Sequence, residues 1–257
     1  MNLLSNALIA TLKSALSKYS TSRIEDLGIS KRMSYAKVMD SIGFAYCPDT
    51  EPPEIIELEG LMVRDLFKLA WKGIAETSLA LSALSALTQK WIEEGGEVET
   101  PSPKVSEMIG LQRGMKVIAI GYMKNVIEEL KKEGAQVVLY EDNHVYRCEA
   151  KRSGIESYPG NYVFLEDDAD AIIATGSSLL DPRLSIVFEK VKSRAKLLIG
   201  PTATVHPYFA SLLGATHVAG TYVPPENRGK VLTMLKLGYG YKRLIESGLV
   251  KKWFVKV

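Results

Sequence analysis

The chain has 257 residues, 46% of them apolar and 24% charged, with a formal net charge of only +2. That length suits one large domain or two small ones, and the near-balanced charge excludes a general affinity for nucleic acid. Two cysteines, Cys47 and Cys148, lie far apart in sequence and form no C-x-x-C, which excludes a disulfide framework and sets the expectation of a reducing, cytoplasmic location.

Apolar residues at Leu4, Ala7, Leu8, Leu12, Ala15 and Leu16 predict a helix within Met1–Tyr19 rather than a signal-peptide core. No run of about 18 apolar residues occurs anywhere, so no membrane span is expected. Strand-like runs follow at Ile24–Leu27, Tyr35–Met39 and Phe44–Cys47. The segment Asp40-Ser41-Ile42-Gly43 is read as the turn of a hairpin joining the last two. A long Ala-, Leu- and Ser-rich helix is predicted from Met62 to Glu93, with a break at Gly73. Ser78, Ser82 and Ser85 share one face of it, a spacing that fits close packing or a polar face turned to a cleft.

The run Gly95-Gly96-Glu97-Val98-Glu99-Thr100-Pro101-Ser102-Pro103 breaks any helix or central strand, so it is read as a boundary with exposed, poorly paired backbone. It separates an α+β domain, 1–98, from an α/β domain, 99–257. Beyond it, strands are predicted at 116–120, 136–141, 171–175, 196–200 and 216–220. Helices are predicted at 123–133, 182–193, 205–213 and 225–236. Such alternation specifies a parallel sheet covered by helices on both faces. Residues 142–165 are less legible, with a short strand expected near Tyr162–Leu165.

Gly121 at the first β→α turn and Glu141 about 20 residues on, at the end of the next strand, form the skeleton of a mononucleotide-binding half-fold. The full G-x-G-x-x-G is absent, because Tyr122-Met123-Lys124-Asn125-Val126 follows Gly121. Four strand ends carry residues suited to a binding rim: Gly121-Tyr122, Thr175-Gly176-Ser177, Gly200-Pro201-Thr202 and Gly220-Thr221. Glycine admits a ligand to the backbone and a helix start offers unpaired N–H groups, although tight turns and helix caps use the same residues. Glu141 is a candidate for a ribose or other diol, or a solvated strand end. His206, before Pro207, is a candidate acid, base or metal ligand, or a helix cap. Asp181-Pro182 reads as an N-cap. No metalloprotease, P-loop or nucleophile-elbow motif is present.

Three stretches together are similar to one family: Asp170–Asp181 (DAIIATGSSLLD), Lys196–Ala203 (KLLIGPTA) followed by Pro207, and Ala215–Thr221 (ATHVAGT). The chain resembles the uncharacterised family labelled "putative heavy-metal chelation", a domain of unknown function. That resemblance implies a Rossmann-like α/β domain preceded by a smaller α+β domain like the N-terminal part of enolase, and it covers most of the chain. It also implies an interdomain cleft near Asp181 and Ser85, where members often carry Asn and an Asn-Ala pair instead of Asp181 and Ser85-Ala86.

The resulting expectation is a two-domain protein whose cleft takes a small polar ligand, with a transition metal or a metal-bearing, anionic molecule as the cofactor or cargo. The rim residues and Ser85 would line it, and His206 would be the metal contact. Neither nucleic acid nor membrane is an expected partner, and assembly into a homo-oligomer is left open. A nucleotide- or dinucleotide-binding protein and a non-catalytic sensor or carrier are the alternatives, and whether the chain is an enzyme is left undecided.

Overall fold

A computed structural model describes residues 3–54 and 59–257. The first helix, α1 (Leu3–Lys13), buries Leu4, Ala7, Leu8 and Leu12, the stripe that its sequence periodicity predicts. Three antiparallel strands follow, in the order β1 (Ile24–Ser30), β2 (Met33–Val38) and β3 (Ser41–Tyr46). The expected β2–β3 hairpin is present, but its turn is Met39-Asp40. Val38 pairs with Ser41, and both loop residues have positive φ, 49° and 64°. A two-residue loop that follows the strand twist needs that conformation. Ser41–Gly43, read from sequence as turn, is therefore strand.

The long helix is broken at Gly73 as expected, into α2 (Val63–Leu69) and α3 (Ile74–Glu93). Every residue of α3 from Ala75 to Gln89 is buried, so the helix is enclosed by other elements. The small residues on α3 allow its backbone to approach β3 closely. A methyl group added at Gly43 would lie 2.1 Å from the Ser82 carbonyl oxygen and 2.2 Å from the Ala86 nitrogen. The serines on this face are packing residues. Ser78 Oγ donates to the Tyr46 carbonyl at 2.7 Å, and Ser82 Oγ donates back to Leu79 at 2.7 Å.

The rest of the chain builds a seven-stranded sheet in the order β10-β9-β8-β7-β4-β5-β6. Its strands are β4 (Lys116–Ile120), β5 (Gln136–Tyr140), β6 (Glu156–Tyr158), β7 (Ala171–Thr175), β8 (Ala195–Ile199), β9 (His217–Tyr222) and β10 (Lys251–Lys256). The first six pair in parallel, and β10 runs antiparallel to β9. Counted from β4, the parallel strands have the 3-2-1-4-5-6 order of a doubly wound Rossmann-like sheet. The fold is thus the α/β class expected, with a second, smaller antiparallel sheet before it.

The side-chain alternation divides the core. Ile118, Ile172 and Ala174 face the cluster shared with α1 and α3, whereas Val117, Ala119, Ala171 and Ile173 face the opposite layer. That opposite layer contains α4 (Val105–Met108), α5 (Lys124–Lys132) and α6 (His144–Arg152). The first layer also holds α7 (Arg183–Lys190) and α8 (Pro207–Leu212). The last two helices, α9 (Arg228–Lys236) and α10 (Tyr241–Glu246), return to the small sheet. Val231, Leu235 and Leu244 cover Met33, Tyr35 and Phe44 there.

Two expectations are corrected, and the stretch after residue 236 gains elements. Residues 160–165 form a 3-10 helix (Gly160–Leu165), and the strand of that region is β6, a three-residue edge strand too short to show a period. Residues beyond 236 supply two more elements, α10 and β10. The Gly/Pro-rich connection is paired to this last strand: Glu99 and Phe254 exchange backbone hydrogen bonds of 2.7 and 3.0 Å, and Ser102 N donates to Lys252 O at 3.3 Å. The antiparallel edge strand offers the partner that the local sequence does not reveal.

The contact at Gly43 can be tested directly. Gly43→Ala should lower the denaturant midpoint by the equivalent of about 1–3 kcal/mol, because backbone rather than a mobile side chain occupies the space. An unchanged midpoint would show that α3 does not rest on β3 in this way.

Candidate functional site

The strand order reverses between β4 and β7, so the loops after these strands diverge and leave a crevice at their carboxyl ends. A cleft of about 850 Å³ lies there. One wall comes from the loops after β4, β5 and β7, through Gly121, Tyr122, Glu141, Asp142, Thr175, Ser177 and Asp181. The other comes from the N-terminal elements: Arg32 in the β1–β2 turn, Tyr46 at the end of β3, Pro48, and Ile74 at the start of α3. Tyr140, Tyr146, Val163, Phe164, Leu180 and Leu184 give the cavity a largely aromatic and aliphatic lining.

Glu141 organises the first wall. Its Oε2 accepts from Tyr122 N and its Oε1 from Asn143 N, both at 2.8 Å. One carboxylate thus joins the turn after β4 to the turn after β5. Other donors nearby are also committed: Asp142 Oδ1 accepts from Gly160 N at 3.1 Å, Asn143 Oδ1 from Val145 N at 2.9 Å, and Asp181 Oδ1 from Arg183 N at 2.9 Å. The Arg183 guanidinium grips Asp181 as well, with Nε at 2.8 and 2.9 Å from the two oxygens. Burial raises the Asp181 pKa, but the Arg183 contacts outweigh it and hold the carboxyl below its ordinary value.

Gly121 has φ +84°, and the place of its missing Cβ is taken by the Thr175 methyl, 2.3 Å away. The glycine is therefore required by the backbone conformation and by Thr175 before any ligand arrives. Ser177 Oγ donates to Thr175 Oγ1 at 3.3 Å, and Tyr122 stacks on Tyr146 with centroids 5.6 Å apart. Tyr140 donates its hydroxyl to Glu166, which also takes Lys116 Nζ at 2.5 Å.

The remaining rim candidates lie elsewhere. Gly176 packs against the Thr202-Ala203 backbone, and Gly200 adopts φ +115° in the following turn with Pro201. Thr202 is buried and its Oγ1 accepts from Tyr46 N at 2.7 Å, which fastens the small sheet to the loop after β8. Gly220 faces Trp253, and Thr221 N donates to Thr204 Oγ1 at 2.8 Å. Ser85 is buried near Gln89, with Nε2 to Oγ at 3.5 Å, against β3 rather than along the cleft.

His206 also lies outside the cleft lining. It caps α8, with Nδ1 accepting from Tyr208 N at 3.1 Å, and its ring meets Trp91 edge-on at 4.7 Å. That acceptor role places the proton of the neutral ring on Nε2. Burial pushes its pKa down to about 4. Among the described residues, no group of three or more His, Cys, Asp and Glu is arranged to hold a metal ion.

Sequence reasoning did not find Arg32, Tyr46, Tyr140, Tyr146, Asp142 or Arg183. Tyr140 and Asp142 flank Glu141, and adjacency to a strand end was an available signal for them. Arg32 and Tyr46 had none, because only tertiary packing brings the small sheet to the cleft.

A family model described as "Putative heavy-metal chelation" matches residues 104–254. An uncharacterized protein of Methanocaldococcus jannaschii is 26% identical over 187 residues, 72% of this chain and 67% of its own. Two crystal structures of proteins with unknown function from the same family share the fold. The one from Pyrococcus horikoshii has a TM-score of 0.78 at 21% identity, covering 99% of this chain and 100% of its own. The one from Desulfitobacterium hafniense has a TM-score of 0.75 at 16% identity, covering 98% and 96%.

Two predictions follow from this geometry. Gly121→Ala should destabilise the protein by about 1 kcal/mol or more, since the added methyl meets Thr175 and the φ is left-handed. Thr175→Ser in that background removes the opposing methyl and should restore part of the loss in a double-mutant cycle; full additivity would dissociate the two residues. The second concerns acid. His206 is buried neutral, so its folded pKa lies below the unfolded value of about 6.5. Its contribution is complete above that value and is lost as pH falls towards 4. Between pH 7 and 4 the wild type should lose on the order of 3 kcal/mol more stability than His206→Asn, whose side chain still caps the helix. Parallel pH–stability curves would argue against a buried neutral imidazole.

Proposed function

The chain belongs to the DUF364 family, described as "Putative heavy-metal chelation", and from that premise we propose that it is a small-molecule-binding protein whose ligand occupies the cleft at the β4/β7 switch point. The observation that carries this reading is the cavity itself: about 850 Å³, walled on one side by strand ends and on the other by the small sheet and α3. A cleft of that size, mostly apolar with a few fixed polar groups, has the usual character of a ligand site. We read the two walls as belonging to two domains, 1–98 and 99–257.

The described side chains do not supply a chelating cage. The described residues hold no cluster of three or more metal-ligating groups, and His206 is committed to capping α8. Cys47 is buried and Cys148 exposed, each as a free thiol. A metal handled by this protein accordingly arrives complexed to an organic ligand, as cargo. The nucleotide alternative is less well supported, because Glu141 already accepts the Tyr122 amide beside Gly121. In a dinucleotide fold that turn and helix start receive the pyrophosphate.

Native mass spectrometry with metal analysis of the purified protein tests this. Any bound metal should leave together with an organic mass on denaturation and should survive Cys47→Ser combined with Cys148→Ser. Tight uptake of free metal ions by protein stripped of small molecules would contradict the cargo reading. Retention of an adenine nucleotide would favour the rival.

A further inference from the structure

We infer that Arg32 is the anchor for a carboxylate on the cleft's ligand, and that this ligand is a planar organic acid rather than a phosphate ester. The inference rests on the cleft reading proposed above and specifies its chemistry.

Two arginines line the cavity. Arg183 is held by Asp181 through its backbone nitrogen and its guanidinium. The Arg32 guanidinium makes no hydrogen bond or ion pair with any described residue; only its carbonyl is used, accepting from Cys47 N at 3.0 Å. It projects from the β1–β2 turn on the wall opposite the strand ends. A guanidinium is always charged and binds a carboxylate through two parallel N–H donors.

The strand-end wall rejects a phosphate for two reasons. The amides of Tyr122, Asn143, Val145, Gly160 and Arg183 already donate to side-chain oxygens of the loops themselves. The acceptors include Glu141, Asp142 and Asp181, whose charge repels a multiply charged anion. A single carboxylate reaching across to Arg32 avoids both obstacles. The body of the ligand then lies among Tyr46, Tyr122, Tyr140 and Tyr146. The Tyr122–Tyr146 stack shows that flat rings pack there, at 5.6 Å and an interplanar angle of 30°. The acidic wall faces the other end, which suits a cationic or metal-bearing group. The ligand is therefore dipolar, with its anionic end at Arg32.

Calorimetric titration with quinoline-2-carboxylate, quinoline-2-carboxamide and ATP tests this, with hydrogen exchange at 121–122, 141–146 and 175–183 reporting where each binds. The acid should bind and protect these segments, with the amide and ATP at least about tenfold weaker. Arg32→Ala should weaken the acid by about tenfold or more without shifting the thermal midpoint, because the side chain is exposed and unpaired, and Arg32→Lys should recover part of the affinity. Equal binding of acid and amide, indifference to Arg32→Ala, or tighter binding of ATP would overturn the Arg32 assignment while leaving the cleft as the site. No binding and no protection by any probe at millimolar concentration would overturn both.

Discussion

The placement of the small sheet depends on one contact, the approach of α3 to β3 at Gly43, where helix and strand backbones meet with no side chain between them. Polar bonds then fix the register of everything around it. Ser78 ties α3 to Tyr46, and Tyr46 N donates to Thr202 in the loop after β8. Gln89 uses both ends of its amide, donating to Ile42 O at 2.7 Å and accepting from Val223 N at 2.8 Å. Ser78, Gln89, Thr202, Ile42 and Val223 are buried and Tyr46 is half-buried, so loss of a partner at one of the buried groups would leave an unsatisfied polar atom at a cost of about 1–3 kcal/mol. The small sheet is thereby held over the carboxyl ends of the large one, and the cleft is the space that remains.

The opposite face of the small sheet is secured by the C-terminal helices. Arg228 of α9 is 9% exposed; it bonds Glu93 of α3, and reaches Asp40 Oδ2 at 3.3 Å and Ser41 Oγ at 3.4 Å on the β2–β3 hairpin. A buried cation with this many partners pins geometry more surely than it adds stability, since its desolvation offsets much of the attraction. The chain thus closes on itself: α3 on one face of the sheet, α9 and α10 on the other, and the 95–103 connection hydrogen-bonded to β10.

The loops after β4 and β5 show how a shared architecture acquires different chemistry. The strand order and the glycine–carboxylate spacing are those of a mononucleotide-binding half-fold, yet Glu141 turns inward to its own backbone. An amide that donates to a carboxylate of its own chain is satisfied before a ligand reaches it. The polar groups left open along the cleft are then side chains, among them Arg32 of the small sheet, far away in sequence.

Much of the fold was legible because it follows from local repetition. The β4, β5 and β7 runs alternate between two buried faces, and β-branched and aliphatic residues at that period select strand irrespective of their neighbours. The break at Gly73 likewise follows from backbone physics. What stayed hidden depends on partners distant in the chain: β6 is an edge strand of three residues, β10 exists as the antiparallel neighbour of β9, and the Gly/Pro connection is ordered by pairing with it. The site divides in the same way. Gly121, Glu141, Thr175, Ser177 and Asp181 lie at strand ends marked in sequence and line the cleft, but the same rule also selects Gly220, Thr221 and Thr202, which pack elsewhere. His206, a candidate for its chemistry, caps α8, and Ser85, a candidate through the family resemblance, packs against β3. Sequence alone determined the α/β alternation and the positions of the strand ends, because those are set by short-range periodicity. Which strand ends meet in one cleft, and that Arg32 and Tyr46 face them, was decided only by tertiary structure, because it depends on strand order and on the seating of α3 against Gly43.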